Sequence, residues 1–191
     1  MKRKVFISWS VFGAALLGFP SKVLATLNSA IRDNKGFKVG AGKDRYDNIL
    51  KPFARDDFFC KVSGKDINGD TYIFESTREA EGGPILHTHF EQDEWWYVLE
   101  GEFLIKVGDT IYNAKPGEFV YGPRMVPHTS SKVGAGTGRL LIGFHPAGWM
   151  EEYFTKLSQG VARNMTDDQR EAMRKEHGFE SSGPAIGVLK K

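Results

Sequence analysis

Residues 87 to 94 read His87-Thr88-His89-Phe90-Glu91-Gln92-Asp93-Glu94 and run on into Trp95-Trp96-Tyr97-Val98-Leu99. In a strand the side chains alternate faces, so His87 and His89 project to one side and Thr88 to the other. A turn across Phe90 to Asp93 starts a second strand, which can bring the Glu94 carboxylate to the same interior. His128 comes from much later in the chain, behind Pro127, whose fixed backbone angle holds the approach rigid. Two imidazoles from one strand, a carboxylate from the next and a third imidazole from a distant strand make a nitrogen-rich ligand set with one oxygen. Such a set suits one divalent transition metal, Fe(II), Mn(II), Ni(II), Cu(II) or Zn(II), because imidazole is a borderline ligand and carboxylate a hard one. Ions that prefer five or six ligands would keep positions free for substrate. Glu94 is also the candidate catalytic residue, as a proton acceptor. A single histidine in a β-protein is usually a surface or hydrogen-bonded residue. Three of them with a glutamate inside a small barrel, with no ion, would cost several kcal/mol unless each group found a partner.

The chain around this stretch is built of short β-rich runs. They are Thr71–Ser76, Ile85–Phe90, Glu94–Leu99, Phe103–Val107, Thr110–Ala114, Glu118–Tyr121 and Arg139–His145. Glu81-Gly82-Gly83-Pro84, Glu100-Gly101, Gly108-Asp109, Pro116-Gly117 and Gly122-Pro123 divide them. Strands at this spacing, with no helical pattern between them, predict an all-β sandwich or barrel. The 22 glycines fit a fold of tight turns.

The same residues resemble the two motifs of the cupin superfamily. The first is present as Gly82 or Gly83, His87-Thr88-His89, four residues, Glu94, six residues and Gly101; the second as Pro116-Gly117-Glu118, Gly122-Pro123 and Pro127-His128. Glu118 stands where Asp is commoner in the family, and Lys132 where Asn often follows the last histidine. The resemblance covers roughly residues 70–147. It implies a double-stranded β-helix, or jelly-roll barrel, holding a metal through His87, His89, Glu94 and His128. Phe144 to Phe154 looks like a last strand running into a helix, similar to the quercetin dioxygenase-like cupins. The superfamily also includes oxalate-degrading enzymes, sugar isomerases and epimerases, sugar-sensing regulators and storage proteins, so fold alone does not select among them.

With Glu94 inward, alternation puts Trp96 and Val98 inward and Trp95, Tyr97 and Leu99 outward. Trp96 is thus a candidate pocket residue able to stack on an aromatic substrate, or a core filler. His145 is a second pocket candidate, or a strand-end residue. The outward aromatic face needs a cover, either an N-terminal extension or a second subunit in a homodimer. Cys60 is the single cysteine, so no internal disulfide can form, and it reads as a buried thiol.

Four regions follow. Residues 1–25 read as a signal peptide, with Lys2-Arg3-Lys4 before an apolar run to Phe19 and Val23-Leu24-Ala25 as the cleavage site. The product would be periplasmic or secreted, by the Sec or a degenerate twin-arginine route, with no stable membrane span after cleavage. Residues 26–69 read as an extension packing on the barrel, 70–147 as the barrel, and 148–191 as C-terminal helices and tail. Trp149, Met150, Tyr153, Phe154 and Leu157 share a helical stripe, and Thr166-Asp167-Asp168-Gln169 is a capping box. His177 falls on this outer helix as a solvated residue, and the residues from Ser181 onward read as a loose tail. The formal net charge of +2 comes from the leader: without Lys2, Arg3, Lys4 and Lys22, 22 basic residues face 24 acidic ones, a net charge of −2. Nucleic acid is therefore excluded as a partner on charge grounds.

Three functions fit these residues. The first is a metal-dependent dioxygenase of a small, aromatic compound. A second is a metal-dependent isomerase or decarboxylase of a sugar or carboxylate, which calls for an inward cation, with Lys106, Arg124 and Arg139 as the candidates. The third is a cupin that binds a small ligand without turnover.

Overall fold

The computed structural model describes residues 35–53 and 55–187. The expected signal peptide, its expected cleavage site at Ala25 and the start of the expected extension lie outside the described residues.

Among the described residues eleven strands and two α-helices are formed. The strands are β1 (Leu50–Phe53), β2 (Asp56–Val62), β3 (Tyr72–Arg78), β4 (Leu86–His89), β5 (Asp93–Glu100), β6 (Glu102–Val107), β7 (Thr110–Ala114), β8 (Phe119–Gly122), β9 (His128–Val133), β10 (Gly138–His145) and β11 (Phe179–Gly183). Helices α1 (Met150–Ser158) and α2 (Asp167–Glu176) lie between β10 and β11. Antiparallel pairing gives one sheet in the order β1-β2-β3-β10-β5-β8 and another in the order β11-β4-β9-β6-β7. This is the two-sheet β-fold expected, with two C-terminal helices. Among the described residues no helix is long and apolar enough to cross a membrane.

Alternation builds the core. Tyr72 and Phe74 of β3, Trp96 and Val98 of β5, Phe103 and Ile105 of β6, and Ile142 and Phe144 of β10 are all buried between the sheets. Two glycines make room for the tryptophans of β5. A Cβ on Gly122 would lie 3.0 Å from the Trp96 ring, and one on Gly143 would lie 2.2 Å from that of Trp95. Gly101, at φ 78°, takes the left-handed turn between β5 and β6 that a side chain would strain.

Three expectations are corrected. The stretch from Leu50 to Val62 does not merely wrap the barrel: β2 pairs with β3, because Phe58 and Cys60 present one apolar face at strand spacing. Cys60 is buried, and burial pushes its thiol up to about 12, which makes it an unreactive core residue. At the other end, Phe179–Gly183 is no loose tail but β11, pairing with β4 and seating Phe179 in the core. Finally, His177 is not solvated. It is buried at the end of α2, with Nδ1 2.6 Å from the Met173 carbonyl and Nε2 3.1 Å from Lys156 Nζ.

Helix α1 uses the predicted stripe, burying Met150 and Phe154, and Glu151 on its other side accepts hydrogen bonds from the Ser63 hydroxyl at 2.7 Å and the Gly64 amide at 3.2 Å. Phe74 is the hub of this packing, with ring centroids 4.5 Å from Phe58, 5.2 Å from Tyr72 and 5.4 Å from Phe154. Phe74→Ala is expected to cost about 3–5 kcal/mol of stability, since rings from three elements cannot all close on the void. Urea unfolding of the two proteins measures this, and a loss below about 1 kcal/mol would show that the hub is not what holds α1 to the sheet.

Candidate metal centre

Each sheet contributes one part of the site. In the five-stranded sheet, β4 carries His87 and His89 on its inner face, and β9 pairs with it so that His128 stands opposite His87. In the six-stranded sheet, β5 presents Glu94 between Phe144 of β10 and Gly122 of β8. The four side chains meet in the space between the sheets, all of them buried, with one ligand atom from each lying within 4.8 Å of the rest. The sequence reading of His87, His89, Glu94 and His128 as one cluster is thus reproduced in space.

Glu94 Oε2 lies 3.4 Å from His87 Nε2, 3.4 Å from His89 Nε2 and 3.2 Å from His128 Nε2. Yet Glu94 Oε2, His89 Nε2 and His128 Nε2 have no hydrogen-bond partner in the protein. Buried polar atoms left unpaired together are costly, unless something bonds them in common. Two ligands about 2.1 Å from a common ion sit about 3.0 Å apart at a right angle and about 3.4 Å apart at the tetrahedral angle. The observed separations fall between these values, so the residues fit a single ion.

The rings are held in ligating orientation. His87 Nδ1 donates to the Ile85 carbonyl at 2.8 Å, which fixes its tautomer and leaves Nε2 free. His89 and His128 are set by packing instead: His89 lies against Phe144 and Phe179 at 5.2 and 5.1 Å between centroids, and His128 against Trp96 at 5.4 Å.

Burial lowers the His89 imidazole from its ordinary value to about 4, against the opposing pull of Glu94. Burial pushes the Glu94 carboxyl up, but the facing rings of His128, His87 and His89 outweigh it and hold the carboxyl well below the usual range. The sign of the pH dependence follows. His89 binds protons more readily unfolded, near its ordinary 6.5, than folded, near 4, so acid favours the unfolded chain across that window. The metal-free protein is expected to lose roughly 3 kcal/mol between pH about 6.5 and about 4 and to be insensitive to His89 above it. Glu94 adds a loss of the same sign as its carboxylate protonates. Urea unfolding of chelator-treated protein across this range checks it; stability that stays level down to pH about 4 would contradict it.

The ligand set opens on a cavity of about 300 Å³. Trp96, Phe74, Phe144, Phe154 and Phe179 form much of its wall, His87 and Glu94 face it, and Arg78, Ser130, Tyr153 and Arg174 are its other polar side chains. Trp96 is in the wall, as read from the alternation of β5. His145 is not: it is exposed, because the strand that turns Phe144 inward turns the next residue out. Lys106, Arg124 and Arg139 are absent from the wall as well. Arg124 pairs outside with Asp93 at 2.7 Å, and Arg139 with Glu75 at 2.6 Å.

The inward cation is instead Arg78, which sequence reasoning missed. The strand read as Thr71–Ser76 extends to Arg78. The alternation that buries Tyr72, Phe74 and Ser76 carries on to it, and following that parity two residues further would have found it.

A family model described as Cupin domain (Cupin_2) matches residues 69–144. The uncharacterized protein MJ1618 of Methanocaldococcus jannaschii is 29% identical over 62 residues, 32% of this chain and 50% of that protein. The chain thus spans about half the length of this curated relative. Among solved structures, KdgF from Halomonas sp. superposes with a TM-score of 0.50 at 14% identity, covering 59% of this chain and 94% of that one. An RmlC-like cupin from Shewanella frigidimarina gives a TM-score of 0.47 at 20% identity, covering 59% and 92%. At 14% identity the likeness to KdgF concerns the fold alone.

Proposed function

This chain belongs to the cupin superfamily through residues 69–144, and from that premise we propose that it is a metal-dependent dioxygenase acting on a small aromatic compound. The observation that carries the reading is the cavity of about 300 Å³ that joins the His87 and Glu94 side chains to a wall of aromatic rings. Such a wall suits a flat apolar substrate, whereas the many hydroxyls of a sugar would lose their hydrogen bonds against it.

A divalent transition metal held by His87, His89, Glu94 and His128 would supply redox chemistry and Lewis acidity for joining substrate to oxygen. The chain's own residues do the rest. Trp96, Phe74 and Phe144 bind the ring and exclude water from the ligand set. Glu94, ionised throughout the neutral range, accepts a hydrogen bond or proton from a substrate hydroxyl that faces it. A specific observation favours a second reading, a metal-dependent decarboxylase or isomerase of a carboxylate: Arg78 is buried in the same wall.

The test is to reconstitute the protein with each of the five metals and follow dissolved oxygen with a panel of small aromatic hydroxy and carboxylic compounds. Oxygen uptake matched to loss of the compound is expected. Turnover without oxygen uptake would replace the oxygenase by the second reading, and tight binding without turnover would make the chain a ligand-binding cupin.

Assembly and location belong to the same proposal. Tyr97 and Leu99 of β5 and Phe119 and Tyr121 of the edge strand β8 are exposed, and pairing with a second copy would cover them. Light scattering at tens of micromolar should show a dimer; a monomer there contradicts it. The mature chain would start near Thr26 outside the cytoplasm, which the intact mass of native protein checks.

A further inference from the structure

Arg78 is held less closely than Arg139 and Arg124. Arg139 reaches Glu75 at 2.6 and 3.0 Å, and Arg124 reaches Asp93 at 2.7 and 3.1 Å. Arg78 is far more buried, at 4% exposure, yet its hydrogen bonds and its ion pair are all long, its guanidinium lying besides over the Phe103 ring at 5.9 Å. Its Nε is 3.4 Å from Ser76 Oγ and 3.7 Å from Asp56 Oδ2, and its Nη1 is 3.4 and 3.3 Å from the Ser130 carbonyl and hydroxyl. Charge-assisted bonds of a guanidinium ordinarily run about 2.7–2.9 Å. A buried cation satisfied this loosely is expensive to keep, and an anion delivered from outside would complete it.

Place and chemistry say which anion. Arg78 lines the cavity that His87 and Glu94 also line, so a ligand can meet the guanidinium and the ligand set at once. Apart from Ser130, Tyr153 and Arg174, the rest of the wall is apolar and largely aromatic, which leaves room for an apolar body and one anionic group. A neighbouring groove of about 650 Å³ shares Phe53, Tyr153 and Arg174 with this cavity and is lined by Lys51, Arg163 and Arg170 besides. Lys51, Arg170 and Arg174 are paired with Asp57, Asp167 and Glu171 at 3.0, 3.1 and 2.9 Å, so the cation left to meet an anion in the cavity is Arg78.

We infer that Arg78 receives the carboxylate of the substrate, so that the cavity takes a small aromatic carboxylate, bound two-pronged through the guanidinium with its ring among the aromatic side chains. This rests on the reading of the cavity as the substrate site, and it holds for either reaction class. It makes Arg78 a specificity-determining residue, and it separates this cavity from one built for a neutral phenol.

The test uses benzoate and its neutral counterpart benzamide, titrated into chelator-treated protein by calorimetry, so that a carboxylate bound to metal cannot imitate the effect. Wild-type protein should bind benzoate about ten- to a hundred-fold more tightly than benzamide. Arg78→Met should bring the two to within about three-fold, while Arg78→Lys keeps part of the preference. Equal binding of the pair by wild-type protein, no binding of benzoate at millimolar concentration, or an undiminished preference in a folded Arg78→Met would each overturn it. If Arg78→Met does not fold, the wild-type and Arg78→Lys titrations decide alone. Metal uptake is measured separately on the same samples. A charge preference in a protein that takes up no metal would leave this inference standing and end the metal-enzyme reading; metal uptake without the preference would do the reverse.

Discussion

His89→Ala, His87→Ala and His128→Ala are each expected to lower metal affinity by more than about 100-fold, a larger loss than removing a group that merely supports a ligand. Each substitution deletes one bond from a set of four, and the remaining groups are fixed on separate strands. His87 and His128 face each other across β4 and β9, while Glu94 is carried by the opposite sheet, so no neighbour can move in to replace the missing ring. Removing His89 or His128 also takes away a buried ring with no hydrogen-bond partner in the protein, so the metal-free variant should be no less stable than metal-free wild type by more than the lost packing. His145→Ala is the control, because that side chain is exposed and outside the cavity. His177, although further from the chemistry, is a poor control: it is buried and tied to Met173 and Lys156, so its loss would disturb α2 and the strand that follows. Competition with a chromophoric chelator measures all four affinities.

Glu94→Gln is expected to separate binding from chemistry. The amide oxygen can still approach an ion but cannot neutralise its charge, so affinity should fall less than in the histidine variants. Turnover should fall by about 100- to 10,000-fold, because the amide accepts no proton. The four side chains would be nearly isosteric with wild type, and Trp96 and Phe144 should keep the ring site intact. Substrate binding that survives while turnover disappears is the expected pattern, seen by calorimetry beside the oxygen assay. Turnover within about ten-fold of wild type would remove Glu94 from the chemistry and leave it a ligand only.

Much of this was legible in the residues. His87 and His89 share a face because the strand period is two, and the same period placed Trp96 inward and Trp95 outward. What stayed hidden falls into two kinds. Leu50–Phe53 and Phe179–Gly183 lack a strong alternating pattern of their own; they become strands because β2 and β4 offer edges for them to pair with, and that partnership is not local information. His177 was hidden for a related reason. A polar residue after a thin helical stripe reads as solvated, and only the packing of α2 onto Tyr153 and Lys156 encloses it. Arg78 differs from both, since its signal was present. The run of β3 carries Tyr72, Phe74 and Ser76 inward, and the guanidinium follows two residues on, where a charge at a strand end ordinarily marks the exit from the core. Such a breach of the hydrophobic rule is where function tends to sit.

The central claim is that His87, His89, Glu94 and His128 hold a transition metal, and elemental analysis of native protein purified without added metal tests it most directly. About one equivalent per chain of iron, manganese, nickel, copper or zinc, lost on His128→Ala and kept on His145→Ala, is the predicted result. Protein that carries none of these metals, and takes up none when dialysed against each in turn at neutral pH, would contradict it.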